Sequence, residues 1–266
     1  MMASWKQVKL KVEAEDSMIE IKSKDEIDLM KKAGNIVSST LSHLEKFIKP
    51  GIETIELDNI AEDFIRSKDA IPGFKGLYGF PATLCISVED EVVHGIPKNR
   101  VLVDGDIVGI DVGAIIDGYY GDHARTFEVG NVSEEKKELM EVTRKSLELG
   151  IEASRPGNRI GDIGFAIQSY AEDKGYSVVR ELVGHGIGKK LHEEPQIPNY
   201  GQENTGPIIK EGMCFAIEPM INLGTEKIYT KNDQWTICTQ DGLPSAHFEH
   251  TIVITGSGSE ILTKYN

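Results

Sequence analysis

The hydrophobic residues between positions 24 and 48 recur at spacings of three and four, which predicts an amphipathic helix. The repeating positions are Ile27, Met30, Ala33, Val37, Leu41 and Leu44. Ser23 and Glu26 have the spacing of a capping box at the start of this helix, and Pro50-Gly51 follows its end. Thr54 opens a second predicted helix, whose buried face consists of Leu57, Ile60, Ala61, Phe64 and Ile65.

The same arrangement returns in the second half of the chain. Ser133 begins a predicted helix, Pro156-Gly157 ends it, and another helix follows, with apolar positions Leu139, Val142, Leu149, Ile163, Ile167 and Tyr170. Strand-like segments follow each helix pair: 82–88, 107–115, 119–128, 177–183, 213–218, 234–239 and 247–254. This order predicts an α+β fold, in which two similar halves share one curved antiparallel sheet covered by helices on one side. A cleft between such halves is a natural place for a site.

Asp117-Gly118 is a two-residue turn signal between two strand-like segments and predicts a hairpin. In that register Asp111 and Asp122 are diagonal neighbours on one face, with backbones roughly 7–8 Å apart. Two carboxylates at this separation can converge on metal ions, although two solvated aspartates would show the same spacing. Glycine weakens a strand unless space is needed near the backbone, so the metal interpretation is favoured by the glycines at 109, 113 and 121.

Further polar residues stand where strand-like segments end or turn: His94, His185, His192, Glu218 and Glu249. Each alone is more often an exposed or hydrogen-bonded structural residue. Together with Asp111 and Asp122, however, the two glutamates would place four negative charges in one pocket, which requires compensating cations. Two divalent ions would supply them, and water held between two such ions is a nucleophile in aminopeptidases, phosphatases and nucleases.

Composition narrows the class of protein. The 266 residues are 39% hydrophobic, without the run of about 20 apolar residues that a membrane span needs. The first 16 residues lack the apolar stretch of a secretory signal, and the three cysteines form no CxxC pair, so we expect a soluble, cytoplasmic protein with reduced thiols. The net charge of −14 disfavours a nucleic acid substrate, because proteins that bind nucleic acids normally carry a basic surface.

Five strings in order resemble the type I methionine aminopeptidases: CISVEDEVVHGIP, GIDVGAIIDGYYGDHARTF, LVGHGIGKKLHEEP, FAIEPM and FEHTIVIT. The resemblance implies the pita-bread fold of two pseudo-symmetric α+β halves. It divides the chain into a short N-terminal extension, residues 1–20, and one catalytic domain, residues 21–266. The implied activity is removal of the initiator methionine from nascent polypeptides whose second residue is small.

The resemblance also implies roles for individual residues. The metal ligands would be Asp111, Asp122, His185, Glu218 and Glu249, with Asp122 and Glu249 bridging two divalent ions. A metal-bound water would attack the first peptide bond, and Glu218 would accept its proton. His94 and His192 would contact the scissile amide and assist the leaving nitrogen. The methionine side chain would bind in an apolar pocket of Phe74, Leu77, Phe80, Cys85, Leu191 and Trp235.

Three positions depart from the family pattern. His123 follows Asp122 where a small hydroxyl residue is common, and by alternation it should point away from the metals. Leu191 replaces an aromatic residue, which would loosen the selection of methionine. Glu89 replaces an asparagine near a structural monovalent-cation site, so the usual cation contacts are not assumed.

Several alternatives remain open at this stage. A proline-specific peptidase shares the fold and ligands but normally carries a large N-terminal domain, a non-catalytic binding protein would be expected to lose ligands, and a dimetal phosphoesterase would need phosphate-binding groups. The ligand set accepts Co, Mn, Fe(II) or Zn. We expect a monomer that acts on nascent N-termini, without a membrane or nucleic acid partner, and the resemblance allows transient association with the ribosome.

Overall fold

The computed structural model describes residues 19–264, and within this range the chain forms four α-helices and fifteen short strands. The helices are α1 (Lys24–Leu44), α2 (Thr54–Arg66), α3 (Glu134–Ala153) and α4 (Ile160–Asp173). The strands of the first half are β1 (Ile71–Pro72), β2 (Leu84–Val88), β3 (Glu91–Val93), β4 (Ile107–Ile116) and β5 (Tyr119–Glu128). Those of the second half are β6 (Ser177–Val178), β7 (Gly184–Gly186), β8 (Glu193–Ile197), β9 (Cys214–Ile217), β10 (Met220–Asn222), β11 (Ile228–Thr230), β12 (Ile237–Thr239), β13 (Ser245–His247), β14 (His250–Thr255) and β15 (Gly258–Ile261).

The helices begin where capping residues predict. At the start of α1 the Ser23 hydroxyl accepts from the Glu26 backbone and the Glu26 carboxylate accepts from the Ser23 backbone, which completes the capping box. The helix ends at Leu44 rather than at residue 48, because the Phe47 amide donates to the Leu44 carbonyl and tightens the last turn. Of the apolar positions in α3, Leu139 and Val142 are buried and Leu149 is partly buried, while Leu147 is also buried.

The hairpin of β4 and β5 has the predicted register. Asp117 and Gly118 both have positive φ, at 51° and 83°, as a two-residue hairpin turn requires. Gly113 therefore pairs with Asp122, and Asp111 pairs with Ala124. The sheet of the first half has the order β1-β4-β2, with β5 paired to β4 on the hairpin.

The second half is more divided than the sequence indicates. A five-stranded sheet has the order β15-β14-β9-β7-β8, and a three-stranded sheet has the order β13-β10-β6. A further three-stranded sheet, β11-β12-β3, pairs two strands of the second half with β3 of the first half. The prediction of a strand over 177–183 is wrong beyond Val178, and the segment 247–254 is interrupted at Phe248 and Glu249. Pro219 has no N–H for a ladder and separates β9 from β10. In residues 19–264 the antiparallel strands thus form four hydrogen-bonded sheets rather than one continuous ladder.

Each half has its own apolar core. One core lies between α1, α2 and the strands β2 and β4, and includes Leu41, Leu57 and Ile110. The other lies between α3, α4 and the strands β9 and β14, and includes Ile163 and Phe215. Among the helices of residues 19–264, none is long and apolar enough to span a membrane.

Candidate metal centre

Two carboxylates of the site come from the first half. Asp111 on β4 and Asp122 on β5 are diagonal neighbours in the hairpin, so their side chains lie on the same face. The backbone of Asp122 is held from the second half, because the Thr251 hydroxyl donates to the Asp122 carbonyl at 2.8 Å and accepts from the Asp122 amide at 3.1 Å. The hairpin and β14 therefore fix the position of Asp122 together.

The other three polar residues come from the second half. His185 is the middle residue of β7, Glu218 follows β9, and Glu249 lies between β13 and β14. The Asn199 amide donates to the Glu218 carbonyl at 3.0 Å, and the Glu249 amide donates to the Ala124 carbonyl at 2.9 Å. Glu249 thus reaches the hairpin of the first half, which explains why the strand is interrupted there.

These side chains converge. The Nε2 atom of His185 is 3.5 Å from Glu218 Oε1 and 3.8 Å from Asp122 Oδ2. One candidate ligand atom from each of Asp122, His185 and Glu249 lies within 4.8 Å of the others. The Nδ1 atom of His185 is 2.9 Å from the Gly186 carbonyl, so the tautomer with a proton on Nδ1 donates there and turns the Nε2 lone pair toward the carboxylates.

Burial and mutual repulsion shape the charges of the site. Burial raises the pKa of Asp122 to about 7. Burial first, and the neighbouring carboxylates second, raise the pKa values of Asp111, Glu218 and Glu249 well above the usual range. Burial lowers the pKa of His185 to about 4, so its imidazole is neutral near pH 7. A cation that displaces the protons of these carboxyls would meet several carboxylate oxygens and one neutral imidazole, which are donors that suit it.

Unpaired oxygen atoms support the same fit. Within residues 19–264, three buried carboxylate oxygens have no hydrogen-bond donor: Asp111 Oδ1, Asp122 Oδ1 and Glu249 Oε1. A buried acceptor without a donor costs on the order of 1–3 kcal/mol. A divalent cation would satisfy all three oxygens, so the residues present fit a divalent metal.

Three further histidines, His94, His192 and His247, lie near this cluster. The rings of His185 and His192 are edge to face with centroids 4.5 Å apart, and the ring of Tyr78 stacks on that of His192 with centroids 6.0 Å apart. Burial lowers the pKa of His94 to about 4, with a smaller contribution from the nearby His192. The Nε2 atom of His247 is 3.8 Å from Glu218 Oε2. Uncharged imidazoles therefore surround the acidic residues.

His123 and Glu89 have separate structural environments. His123 points away from the cluster, as alternation predicts: its Nδ1 is 2.5 Å from the Glu249 carbonyl and its ring stacks on His250. The Glu89 carboxylate accepts from the Lys136 ammonium at 2.6 Å and from the Ile107 amide at 2.8 Å. Glu89, which departs from the family pattern, thus forms an ion pair with Lys136.

The six predicted pocket residues lie together: Phe74, Phe80, Cys85 and Leu191 belong to one buried apolar cluster, and the partly buried Leu77 and Trp235 pack against it. Phe80 and Trp235 pack edge to face with ring centroids 5.1 Å apart. Cys85 on β2 pairs with Asp111 on β4, which joins the pocket to the carboxylates. Phe74 packs over Gly113, where an added Cβ would lie 2.5 Å from the Phe74 ring. The glycine in the hairpin therefore makes room for a pocket side chain.

Sequence reasoning missed several residues of the site. Tyr78 lies in a glycine-rich turn, which gives no sign of a functional role. Nothing in the local pattern around Asn199 indicates that its side chain binds the Glu218 carbonyl. Thr251 gave a signal, since it alternates onto the face of Glu249, but its partner at Asp122 is distant in the sequence. The apolar cluster also contains pocket neighbours that were not predicted, including Met30, Tyr119, Tyr120 and Ile187.

Comparisons with known proteins agree with this arrangement. Residues 28–256 match the metallopeptidase family M24. The chain is 54% identical to methionine aminopeptidase 1 of Bacillus subtilis, over 93% of this chain and 100% of that protein. It is 53% identical to the methionine aminopeptidase of Clostridium acetobutylicum, over 92% and 99% of the two chains.

Solved structures show the same relationship. The crystal structure of the methionine aminopeptidase from Rickettsia prowazekii superposes with a TM-score of 0.92 at 46% identity, over 93% of this chain and 100% of that one. The prolidase from Pyrococcus furiosus superposes with a TM-score of 0.77 at 26% identity, over 98% of this chain but 68% of the prolidase. The fold is thus shared with both groups, and the similarity to the methionine aminopeptidases is greater.

Proposed function

Because the chain belongs to the metallopeptidase family M24, with methionine aminopeptidases as relatives over nearly its whole length, we propose that the acidic cluster is its dimetal active site. The chain is a hydrolase of the type I methionine aminopeptidases and removes the initiator methionine. The observation that carries the site assignment is the convergence of Asp122, His185 and Glu249 within 4.8 Å, beside the half-buried carboxyls of Asp111 and Glu218.

Two divalent ions are the number that best matches the donors. Asp111, Asp122, Glu218 and Glu249 bring four negative charges when ionised, and His185 is neutral. The resemblance to the methionine aminopeptidases implies that Asp122 and Glu249 would contact both ions, and ligand atoms of these two residues lie within 4.8 Å of each other and of His185. When bound, the ions would activate water and polarise the scissile carbonyl. Co, Mn, Fe(II) and Zn all suit oxygen ligands with one imidazole.

The protein's own groups would handle protons and orientation. Glu218 is the proposed proton acceptor for the attacking water, because its carboxylate lies beside the proposed ligands, with Oε1 3.5 Å from His185 Nε2. His94 and His192 would donate hydrogen bonds to the scissile amide and guide the leaving nitrogen. Acid–base assistance of this kind contributes ~10²- to 10⁴-fold to a rate.

The apolar cluster is the proposed binding pocket for methionine. Its aromatic and sulfur-containing walls suit an unbranched thioether, since sulfur packs favourably against aromatic ring edges. Phe80 and Trp235 would supply the aromatic contacts and Cys85 would lie next to the reacting centre. Leu191 stands where the family commonly has an aromatic residue, so this side of the pocket would contact the methionine side chain less closely.

The nature of the substrate suggests where in the cell the enzyme acts. Nascent polypeptides begin with methionine and emerge N-terminus first, so we propose a cytoplasmic enzyme that acts as a monomer and meets its substrate at the ribosome. The structural similarity to a prolidase suggests a second candidate activity, which is cleavage of the peptide bond before a proline. It is not favoured, because relatives at about half identity are methionine aminopeptidases.

Metal reconstitution tests the proposal. Metal-free protein is loaded with single divalent metals, and hydrolysis of Met-Ala, Met-Leu and Ala-Pro peptides is measured together with bound metal per chain. We expect two metals per chain and release of methionine mainly from Met-Ala. Protein that binds metal but hydrolyses none of these peptides would contradict the assignment.

Asp122→Asn provides a sharper test of the proposed bridge. We expect it to bind less metal and to lose ~10²-fold or more in kcat, the usual size of a catalytic metal effect. Asp117→Asn is the matched control, because Asp117 lies at the turn of the same hairpin, is exposed and faces solvent. Equal metal content and activity in the two variants would rule out a ligand role for Asp122.

A further inference from the structure

The loop between β7 and β8, residues 187–192, carries two residues of the proposed site. Leu191 belongs to the apolar pocket, and the ring of His192 lies against that of His185. Main-chain bonds hold the first part of this loop: the Ile187 amide donates to the Cys214 carbonyl, the Gly188 amide donates to the Lys190 carbonyl, and the Tyr120 amide donates to the Gly188 carbonyl. These bonds lie at residues 187, 188 and 190, so the position of Leu191 and His192 also depends on the side chains that pack beneath the loop.

Lys22 lies directly beneath the loop, before the first turn of α1. Its side chain is only 2% exposed, and its Nζ atom is 2.6 Å from Glu193 Oε2 and 2.5 Å from Glu20 Oε2. A lysine is almost never buried without paired charges. The stem of Lys22 crosses Gly188, where an added Cβ would lie 2.5 Å from Lys22 Cε. The absence of a side chain at Gly188 thus lets the buried lysine pass under the loop.

The partner of Lys22 in the ion pair, Glu193, connects to the part of the loop that carries His192. Glu193 directly follows His192, and its other oxygen, Oε1, accepts from the Lys190 amide at 3.0 Å. One carboxylate therefore joins the Lys22 ammonium to the main chain on both sides of Leu191 and His192. The amide of Lys22 donates to the Gly212 carbonyl at 2.8 Å, so the base of the connection is itself anchored.

We propose that Lys22 is a positioning residue, which holds the loop at residues 187–192 so that His192 and Leu191 face the substrate. The inference rests on the proposed function of these two residues. A second connection supports the same arrangement: Lys189 is 3.4 Å from Glu26, whose carboxylate also accepts from the Tyr119 hydroxyl at 2.7 Å. Lys189 and Glu26 are more exposed, so the buried pair carries most of the restraint.

A double-mutant cycle separates positioning from general stability. Lys22→Met is combined with His192→Ala, and kcat and KM for Met-Ala-Ser are measured in the four proteins. We expect Lys22→Met alone to lower kcat/KM ~10- to 100-fold, since a displacement of about 1 Å has effects of this size. In the His192→Ala background the same change should have a much smaller effect. Lys31→Met is the control, because Lys31 lies on α1 in an exposed ion pair with Glu260.

A variant that avoids an unpaired buried carboxylate protects against misfolding. Lys22→Met with Glu193→Gln is expected to bind metal like the parent protein and still to lose kcat/KM. Equal factors of loss with and without His192 would show a merely structural effect and overturn the proposal. Wild-type activity in Lys22→Met would overturn it as well.

An activity-independent measurement distinguishes this proposal from the proposed function. In protein with ¹³C-labelled histidine rings, the His192 signal is assigned by its loss in His192→Ala. We expect Lys22→Met to shift or broaden the His192 signal and to leave His43, at the far end of α1, unchanged. An unaltered His192 signal would refute the positioning role, even if the protein hydrolysed no methionyl peptide.

Discussion

At the scale of single residues, each feature of the site follows from crowding of like groups in a buried place. Four carboxyls compete for negative charge, so their pKa values rise, whereas the buried imidazoles of His185 and His94 lose the charged form and their pKa values fall. The site is consequently a set of ligands and bases whose protonation differs from that of exposed side chains. Metal binding should therefore depend strongly on pH.

The pH dependence has a defined sign. Burial raises the pKa of Asp122 to about 7 and that of Glu249 well above the usual range, while unfolded carboxyls titrate at about 4. Raised pKa values stabilise the metal-free fold at low pH, and this contribution is lost as the pH rises through about 7. A cation displaces the same protons, so it binds better at higher pH.

We expect the difference in melting temperature between metal-loaded and chelated protein to grow from about pH 5.5 to about pH 7.5. His185 adds little in this range, because burial lowers its pKa to about 4. Calorimetry of both forms in matched buffers measures the difference. A difference that stays constant or shrinks as the pH rises would contradict this account.

At the scale of secondary structure, the β4–β5 hairpin both aligns polar side chains and allows close packing against its backbone. It aligns Asp111 and Asp122 on one face, and its glycines let other elements approach the backbone closely. Gly113 admits the Phe74 ring, and Gly121 lies against the main chain of α1 at Ala33. The hairpin therefore positions both the proposed metal ligands and part of the proposed methionine pocket.

Gly113→Ala tests this close packing. The new Cβ would lie 2.5 Å from the Phe74 ring, so Phe74 must move within the pocket. We expect a loss of about 1–3 kcal/mol in the free energy of unfolding, as for other overpacked sites. The KM for Met-Ala should rise ~10-fold, since pocket changes of one methylene have this size.

Gly109→Ala on the same strand is the control for Gly113→Ala. Its Cβ would meet no atom closer than 3.7 Å, which is ordinary contact, so stability and KM should stay near those of the parent. Denaturant titration and steady-state kinetics of the two variants give the comparison. Equal behaviour of both variants would show that Phe74 does not depend on space at Gly113.

At the scale of the whole molecule, the site joins two halves that each have a core, and a third apolar cluster contains residues of both halves. Asp111 and Asp122 belong to the first half, and His185, Glu218 and Glu249 belong to the second. Hydrogen bonds from Thr251 and Glu249 to the hairpin connect the halves beside the same residues. Bound metal would thus link the two cores through their side chains.

Metal removal should accordingly weaken both halves. A ligand at about 100 times its Kd adds ~2.7 kcal/mol to the stability of a fold that binds it. We expect chelation to lower the melting temperature and to speed amide hydrogen exchange in β4–β5 and in β9–β14 alike. Chelator should have little effect on Asp122→Asn. Faster exchange confined to one half would show that the metal does not connect the two.

Local patterns alone determined much of this protein. Helix periodicity and the capping box at Ser23 located α1, and the Asp117-Gly118 turn set the hairpin register, because these features depend on residues close together in the chain. The same register placed Asp111 and Asp122 on one face. The motif strings then indicated the family, which the comparisons confirm.

Only the tertiary structure decided how the two halves meet. The break in the strand at Glu249, the contact of Thr251 with Asp122 and the burial of Lys22 beneath the loop of His192 all join residues far apart in the sequence. Local propensity carries no information on such partners, because their energies arise only when distant segments are packed together. The sequence therefore determined which residues could form the site, and packing between the halves decided how they are held.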